Sequence, residues 1–238
     1  MSEAPKSQTP SYTMTPIGVV HSCFEEKFAV PRQPGLVPSA TGSIELLEPF
    51  NHPDIVDGLE NCSHIWVQFI FHECADKGWQ MKVRPPRLGG NKKMGVLATR
   101  ATHRPNSLGL SVVKLERIET KHQKVILHIQ GQDLVEGTPV LDIKPYIPYA
   151  DIVEQAEYPF AQHKPNTLVV TFSSKALSQL EKSENEASLK TLIIEVLQQD
   201  PKPAFHKPNQ EREYGAKLSS KNIKWRYLED IIEVTAID

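Results

Sequence analysis

The chain has 238 residues, of which 39% are hydrophobic and 24% charged, and its formal net charge is -2, a composition typical of a globular protein. No apolar run approaches the ~18 residues that a membrane-spanning helix needs, which excludes an integral membrane protein of the helical class. Residues 1–13 are polar, lack the apolar segment of a secretory signal and are expected to form a disordered tail, so the sequence favours a cytoplasmic protein.

The sequence has one strongly basic stretch and no metal-binding pattern. Residues 82–104 contain seven lysines and arginines and no acid, and a field of one sign attracts polyanions such as RNA. Cys23, Cys62 and Cys74 are widely spaced and form no C-x-x-C pair. Neither a disulfide framework nor a zinc site is predicted, and no metal is expected.

The first two thirds of the chain consist of short β-branched segments separated by Gly, Pro and Asn, a pattern that predicts strands joined by turns. In one of them Val125, Leu127 and Ile129 alternate with mostly polar neighbours, as in a half-buried strand. The predicted strands are residues 15–21, 42–47, 64–71, 95–100, 110–119, 124–131 and 139–147.

Only one short helix is predicted in this part, near residues 54–59. Many strands with almost no helical periodicity favour a closed or nearly closed antiparallel barrel over a sheet covered by helices. The sequence therefore predicts a mainly β fold, with a single antiparallel β-barrel over residues 14–153.

A smaller α+β domain is predicted at residues 167–238, after a Pro-rich polar linker at 154–166. Apolar residues from Leu189 to Leu197 follow the i, i+3, i+4, i+7 pattern of an amphipathic helix, which Asp200-Pro201 should end. A strand at 167–172, a helix at 174–184 and a hairpin of 223–228 with 231–237 complete the domain. Because ~70 residues are marginal as an independent fold, we expect it to pack on the barrel or on a partner subunit.

The common enzyme signatures are missing. No G-x-G-x-x-G follows a strand, and the P-loop spacing of Gly90 and Gly95 is followed by Val96 and Leu97 instead of Lys and Ser or Thr. His72-Glu73 lacks the second histidine of a zinc-protease helix, and no serine lies in a G-x-S-x-G elbow. Nucleotide, zinc and acyl-enzyme chemistry are therefore disfavoured.

Two polar pairs stand out because they border apolar or proline-rich segments. In AVPRQPGLVP the prolines stiffen a loop that presents Arg32 and Gln33, which suits a carboxylate or a base edge but is also compatible with an ordinary surface loop. In HIWVQFIFHEC a strand ends with His72 and Glu73, a pair that is either structural or functional.

The stretch ATRATHRPNSLGLS, residues 98–111, combines cations with a turn. The residue before Pro105 is pushed out of the helical region, which fixes the direction of Arg104. Gly109 permits the close approach of a ligand or of another backbone. A turn alone does not account for Arg100, His103 and Arg104 together at the end of a purely basic stretch, so an anionic partner is indicated.

The block DLVEGTPVLDIKPYIPYAD carries four acids around a glycine, and two tyrosines between prolines. They are Asp133, Glu136, Gly137, Asp142, Tyr146, Tyr149 and Asp151. The acids suit a cationic ligand and the tyrosines suit stacking on a base. A plain β-hairpin turn at Glu136-Gly137 is an equally good interpretation of part of the block.

Several of these blocks, PRQPGLVP, VRPPRLGGN, GVLATRATHRPNSLGLS and DLVEGTPVLDIKPYIPYAD, closely resemble signature blocks of the TrmO family, also called TsaA-like or YaeB-like. DPKPAFHK and the WRYLED region resemble the family's C-terminal domain. The resemblance implies an S-adenosylmethionine-dependent tRNA methyltransferase built on one β-barrel, a homodimer with the cofactor site near the subunit interface. The implied substrate is N6-threonylcarbamoyladenosine next to the anticodon, methylated on N6. His103 and Ser107 depart from the aromatic residue and the proline expected in the family.

The resemblance also implies a set of methyl-donor contacts. They are Pro31, Arg32, Gln33, His72, Glu73, Arg100, Leu110, Leu134, Val135, Glu136 and Gly137. The chemistry agrees, because the donor is a sulfonium zwitterion: Arg32 suits its carboxylate, and an acid such as Glu73 or Glu136 suits its cationic end.

The acceptor nitrogen carries a carbonyl substituent that makes its proton more acidic, so a general base would help. Our hypothesis assigns this role to Asp142, with Arg104 and Asn106 positioning the nucleoside. The predicted substrate contacts are Lys92, Lys93, Lys144, Tyr146 and Tyr149. Two other functions fit the sequence: a non-catalytic RNA-binding barrel, and a methyltransferase that acts on a small molecule.

Overall fold

The computed structural model describes residues 11–89, 92–121, 124–203 and 212–238, with Arg87 described by its backbone only. Most of the predicted disordered tail lies outside the described residues. So do Gly90 and Asn91 of the VRPPRLGGN block and residues 204–207 of the DPKPAFHK block.

The N-terminal part of the chain consists mainly of strands. They are β1 (Gly18–Ser22), β2 (Thr41–Leu46), β3 (His64–Ile70), β4 (Lys82–Val83), β5 (Met94–Gly95), β6 (Leu108–Lys121), β7 (Lys124–Gln130) and β8 (Pro139–Pro145). Two short helices, α1 (His72–Ala75) and α2 (Pro148–Asp151), follow β3 and β8.

Six of these strands form a closed antiparallel barrel in the order β1-β2-β7-β6-β3-β8. It closes where Gly18 pairs with Val140 and Val19 with Pro139. Alternate residues fill the interior, among them Val125, Leu127 and Ile129 of β7, as their spacing predicts. The predicted antiparallel barrel is confirmed.

The strand predicted at residues 95–100 is wrong beyond its first residue. Met94–Gly95 (β5) pairs with β4, and Val96–Ala98 is a 3₁₀ turn. Val96 is buried whereas Ala98, which would lie on the same face of a strand, is exposed, so the segment lacks the continuous buried face that would stabilise a strand.

The helix predicted near residues 54–59 is instead two 3₁₀ turns, Pro53–Val56 and Leu59–Asn61. Gly58 lies between them with φ of 84°. This left-handed conformation interrupts a right-handed helix, and glycine adopts it without a steric penalty.

The C-terminal part is a four-stranded sheet with two helices. Its elements are β9 (Val169–Phe172), α3 (Ser174–Leu180), α4 (Glu186–Leu197), β10 (Glu213–Leu218), β11 (Lys221–Leu228) and β12 (Ile231–Ile237). The strand order is β10-β11-β12-β9, with β12 and β9 parallel. The predicted amphipathic helix and the β11–β12 hairpin are confirmed, whereas β10 was not predicted.

The C-terminal domain packs on residues 23–40 of the barrel domain. Phe24, Val37 and Ala40 share one apolar core with α3, α4 and the four-stranded sheet. The carboxylate Oε2 of Glu195 accepts hydrogen bonds from the Ser39 backbone N at 2.8 Å and from its Oγ at 2.7 Å. Of the two expected positions for this domain, the structure shows packing on the barrel domain.

Candidate active site

A cavity of about 460 Å³ opens beside the end of β3, where five segments of the chain converge. These are residues 30–34, the end of β3 with α1, residues 99–104, the start of β6, and residues 133–135. Since β3 pairs with β6 from His64–Lys114 to Ile70–Leu108, the barrel register itself brings the second and fourth segments together.

Most of the predicted site residues line this cavity. They are Pro31, Arg32, Gln33, His72, Glu73, Arg100, Arg104, Leu110, Leu134 and Val135. Glu136 and Gly137, which follow Val135 directly, are not among the lining residues, and neither is Asn106.

The Arg32 loop is held against the cavity from two sides. Arg100 Nη1 donates a hydrogen bond to Gln33 Oε1 at 2.5 Å, and Gln33 Nε2 donates to the Arg32 carbonyl. On the other side, Arg32 Nη2 is 3.5 Å from the carbonyl oxygen of Asp200 in the C-terminal domain. Pro31 and Pro34 limit the backbone between these contacts, so the guanidinium groups of Arg32 and Arg100 border the same opening.

Arg104 stabilises the turn that follows the basic stretch. Its Nη1 donates to the carbonyl oxygens of Thr99 at 2.8 Å and Ala101 at 3.4 Å. Its own backbone is extended, as expected before Pro105, and Asn106 has φ of 65°. Of the two arginines near this turn, Arg104 is therefore bonded within the turn, whereas Arg100 bonds Gln33 on another segment of the cavity wall.

Two of the predicted acids already have cationic or amide partners. Lys27 Nζ is 3.1 Å from Glu73 Oε2. Glu136 Oε1 is 3.0 Å from His21 Nδ1, and its Oε2 accepts from the Ser22 backbone N at 2.6 Å. Both carboxylates are thus already engaged by groups of the protein.

A third acid, Asp133, lines the cavity. The sequence grouped it with acids that suit a cationic ligand but did not assign it to the donor or substrate contacts. Its Oδ1 accepts a hydrogen bond from Ser111 Oγ at 2.7 Å. Burial raises the pKa of this carboxyl from 3.8 to about 6, against the opposing effects of the Ser111 hydrogen bond and the positive charge of Arg100.

Asp142 lies in a different place from these residues. It lines a second depression of about 440 Å³, together with Ile17, Leu59 and Cys62. Its Oδ1 accepts from the Ile143 backbone N at 2.9 Å, and Lys144 Nζ is 3.8 Å from its Oδ2. Within one chain, Asp142 and Lys144 are therefore neighbours but do not join the predicted donor-binding residues.

The remaining predicted substrate residues lie outside the cavity. Tyr146 packs near Trp66, with ring centroids 5.8 Å apart, and Tyr149 is 91% exposed. Lys92 and Lys93 are exposed, with Lys92 Nζ 5.1 Å from the Phe160 ring centroid.

In the described ranges, no group of three or more His, Cys, Asp or Glu side chains is arranged to hold a metal ion. Within the same residues, no helix has the length and apolar content needed to cross a membrane.

Comparison with known proteins finds a family match for each of the two domains. The profile of the tRNA-methyltransferase O N-terminal domain matches residues 19–152, and that of the TrmO C-terminal domain matches residues 165–238. The chain belongs to the TrmO family. A tRNA (adenine(37)-N6)-methyltransferase from Escherichia coli is 46% identical over 231 residues, covering 96% of this chain and 98% of the relative.

Further relatives agree with the TrmO assignment. A Pseudomonas aeruginosa protein named as an S-adenosylmethionine-dependent methyltransferase is 47% identical over 219 residues, 91% of this chain and 93% of that protein. The crystal structure of TrmO from Pseudomonas aeruginosa superposes with a TM-score of 0.81 at 40% identity, covering 96% of this chain and 99% of that one.

Sequence reasoning missed the apolar wall of the cavity and the Ser111–Asp133 pair. Phe69 and Phe71 both line the cavity, with ring centroids 5.1 Å apart and rings nearly perpendicular. A strand-end aromatic pair beside His72 was a usable signal. Ser111 and Asp133 are distant in sequence, and only the folded barrel brings them together.

Proposed function

We propose that this TrmO-family protein transfers a methyl group from S-adenosylmethionine to N6 of N6-threonylcarbamoyladenosine, next to the anticodon of tRNA. The observation that carries the proposal is the convergence of the predicted donor-binding residues on one cavity beside an exposed basic stretch. The names of the relatives support tRNA, adenine N6 and the methyl donor.

The residues that line the cavity fit S-adenosylmethionine. The guanidinium groups of Arg32 and Arg100 suit its carboxylate, because charge-assisted hydrogen bonds to planar carboxylates are among the strongest in proteins. Phe69 and Phe71 offer an aromatic surface for the adenine ring. Leu134 and Val135, which line the cavity, supply backbone polar groups.

When bound, the cofactor supplies an electrophilic methyl group on a sulfonium. The protein contributes orientation, because displacement at the methyl carbon requires sulfur, carbon and the acceptor nitrogen in line. Arg104 and Asn106 are proposed to position the modified nucleoside at the mouth of the cavity, and no covalent nucleophile of the protein is needed.

The proposed tRNA surface includes the basic stretch and, on a different face, Lys144, Tyr146 and Tyr149. The second group and Asp142 do not reach the cavity of their own chain. In the proposed homodimer, Lys144, Tyr146 and Tyr149 would serve a nucleoside bound partly by the partner subunit, with the cofactor site near the interface.

Mass spectrometry of tRNA nucleosides from cells with and without the gene tests the proposal. The methyl group on N6-threonylcarbamoyladenosine should disappear without the gene and return with the purified protein and S-adenosylmethionine. An unchanged nucleoside profile would refute the assigned substrate. Calorimetry with S-adenosylmethionine separates this proposal from a non-catalytic RNA-binding barrel, for which no heat is expected.

The contribution of the basic stretch is testable through Lys92 and Lys93, which are exposed. The double variant Lys92→Ala/Lys93→Ala should weaken tRNA binding roughly 10-fold and lower its salt dependence, while S-adenosylmethionine affinity stays unchanged. The matched control is Lys175→Ala/Lys182→Ala, which removes two exposed lysines of the C-terminal domain. Equal losses in both double variants would contradict a tRNA surface at residues 92 and 93.

A further inference from the structure

We propose that Asp133, and not Asp142, is the general base that takes the proton from N6 of the acceptor adenosine. This role rests on the proposed function. The inference comes from the position of the Asp133 carboxylate in the donor cavity, from its single side-chain hydrogen bond, and from the absence of Asp142 from that cavity.

The backbone on both sides of Asp133 is firmly held. Gln132 is fully buried, and its Oε1 accepts a hydrogen bond from the Leu134 backbone N at 2.6 Å. Gln132 Nε2 donates to Ser22 Oγ at 2.8 Å, which ties the segment to β1. Leu134 is 1% exposed and packs in the barrel core. The backbone from which the Asp133 side chain projects is therefore fixed in position, and a general base must be held within reach of the proton that it takes.

The side chain of Asp133 is oriented by Ser111, which is 2% exposed and lies on β6 directly after Leu110. Ser111 Oγ donates to one carboxylate oxygen at 2.7 Å. Among the described residues, no other side chain donates a hydrogen bond to Asp133. The Ser111 hydroxyl thus anchors one oxygen, and the backbone amide of Asp133 itself also bonds the carboxylate. Because the side chain lines the cavity, a proton donor bound there can reach it.

The other candidate acids are less suitable. Glu73 lies 3.1 Å from Lys27 Nζ, and Glu136 interacts with His21 and the Ser22 amide outside the set of cavity-lining residues. No described lysine or arginine nitrogen forms an ion pair with Asp133 within 4.0 Å. A carboxylate with a close cationic partner is a weaker base than one held mainly by a hydroxyl.

The protonation properties of Asp133 agree with this role. Burial raises its pKa to about 6, while the Ser111 hydrogen bond and the charge of Arg100 act in the opposite direction. The other charged or titratable groups that line the cavity are Lys27, Arg32, His72, Glu73, Cys74 and Arg104. Near neutral pH the carboxylate is mostly ionised but more basic than an exposed aspartate, which suits proton abstraction.

The step balances without another reactant. As the nitrogen lone pair forms the new bond to the methyl carbon, the bond between that carbon and the sulfonium sulfur breaks and its electron pair stays on sulfur. Asp133 takes the N6 proton and later releases it to water. The products are the N6-methylated nucleoside and a neutral thioether.

The direct test compares Asp133→Asn with Asp142→Asn in the full chain, with S-adenosylmethionine and tRNA saturating. Asp133→Asn should lower the single-turnover rate roughly 100-fold or more, because general bases contribute factors of this size. Its affinity for S-adenosylmethionine, measured by calorimetry, should stay within about 3-fold of that of the unsubstituted protein. This change is smaller than the drop in affinity that the loss of one charge-assisted hydrogen bond would cause. Asp142→Asn should retain its rate.

Four outcomes overturn the role. Full turnover by Asp133→Asn excludes it, and a rate loss confined to Asp142→Asn moves the base to that residue. A loss of donor affinity as large as the loss of rate would make Asp133 a donor ligand instead. Absence of methyl transfer by the unsubstituted protein, with donor binding intact, would instead contradict the proposed substrate and with it this role.

The pH dependence gives a second measurement. The single-turnover rate should fall as pH drops through about 6, where Asp133 becomes protonated. Ser111→Ala removes a hydrogen bond that favours the ionised form, so this fall should move to higher pH. Asp133→Glu should keep an acid-side fall, and Asp133→Asn should lose it. An unchanged profile in Ser111→Ala would contradict the proposed coupling.

Discussion

Gly109 is required for space in the wall of the cavity. It pairs with Phe69 across β6 and β3. A Cβ atom at this position would overlap the Phe69 ring carbons Cε2 and Cζ and lie 2.9 Å from Cδ2. Ordinary carbon–carbon contacts are about 3.5–4.0 Å, so the substitution Gly109→Ala must displace the ring.

The expected cost follows from the surroundings of that ring. Phe69 is 5% exposed and packs against Phe71, so it has little room to move. Overpacking of this kind costs ~1–3 kcal/mol, and the lower backbone entropy of alanine in the unfolded chain returns ~0.5–1 kcal/mol. Gly109→Ala should therefore lower the free energy of unfolding by ~1–2 kcal/mol.

Urea unfolding and calorimetry with S-adenosylmethionine would measure the two effects. Because Phe69 lines the cavity, donor affinity should fall together with stability. Gly95→Ala is the matched control, since no heavy atom lies within 4 Å of its added Cβ. Combining Gly109→Ala with Phe69→Leu should cost less than the sum of the single variants. Wild-type stability and donor affinity in Gly109→Ala would refute the steric account.

Two further predictions concern the domain contact and the buried acid. Glu195→Ala removes the acceptor of both Ser39 hydrogen bonds. It should destabilise the protein by ~1–3 kcal/mol in urea unfolding and weaken donor binding. The control in the same assay is Glu184→Ala, at an exposed glutamate of the same domain. The pKa of Asp133 is raised in the folded state, so its ionised form opposes folding as pH rises from 3.8 through about 6. Asp133→Asn should accordingly raise the free energy of unfolding by ~1–3 kcal/mol near neutral pH and leave it unchanged below the ordinary aspartate pKa. A variant less stable than the parent at neutral pH would contradict the direction of this change.

The barrel was predictable because its strands show the period of two in the sequence, as in Val125, Leu127 and Ile129. β10 has the same alternation, with Tyr214, Ala216 and Leu218 buried. Its intervening Glu, Gly and Lys have low strand propensity, however, and conceal the pattern. Segment 95–100 shows the opposite error, a strand predicted where a 3₁₀ turn forms. Val96 and Ala98 have the spacing of one strand face, but only Val96 is buried.

The lining of the cavity was predictable where one motif supplies several neighbouring residues, as in Pro31 to Gln33. The proposed role of Asp133 depends on Ser111, and their contact is set by the barrel pairing and not by any local motif. Asp142 illustrates the reverse case. It belongs to the same sequence block as Leu134 and Val135, but the intervening turn and β8 carry it to a separate depression.

The position of β12 has a consequence for biosynthesis. It lies between β11 and β9 in the C-terminal sheet, although it follows every other strand of that sheet in the chain. During translation, β9 has no partner in this sheet until residues 231–237 have been synthesised. The same apolar core supports residues 23–40, which include the Arg32 loop. A premature stop codon before β12 would leave this loop without its support, although the loop itself had already been synthesised. Such a product should be a substrate for cellular proteases.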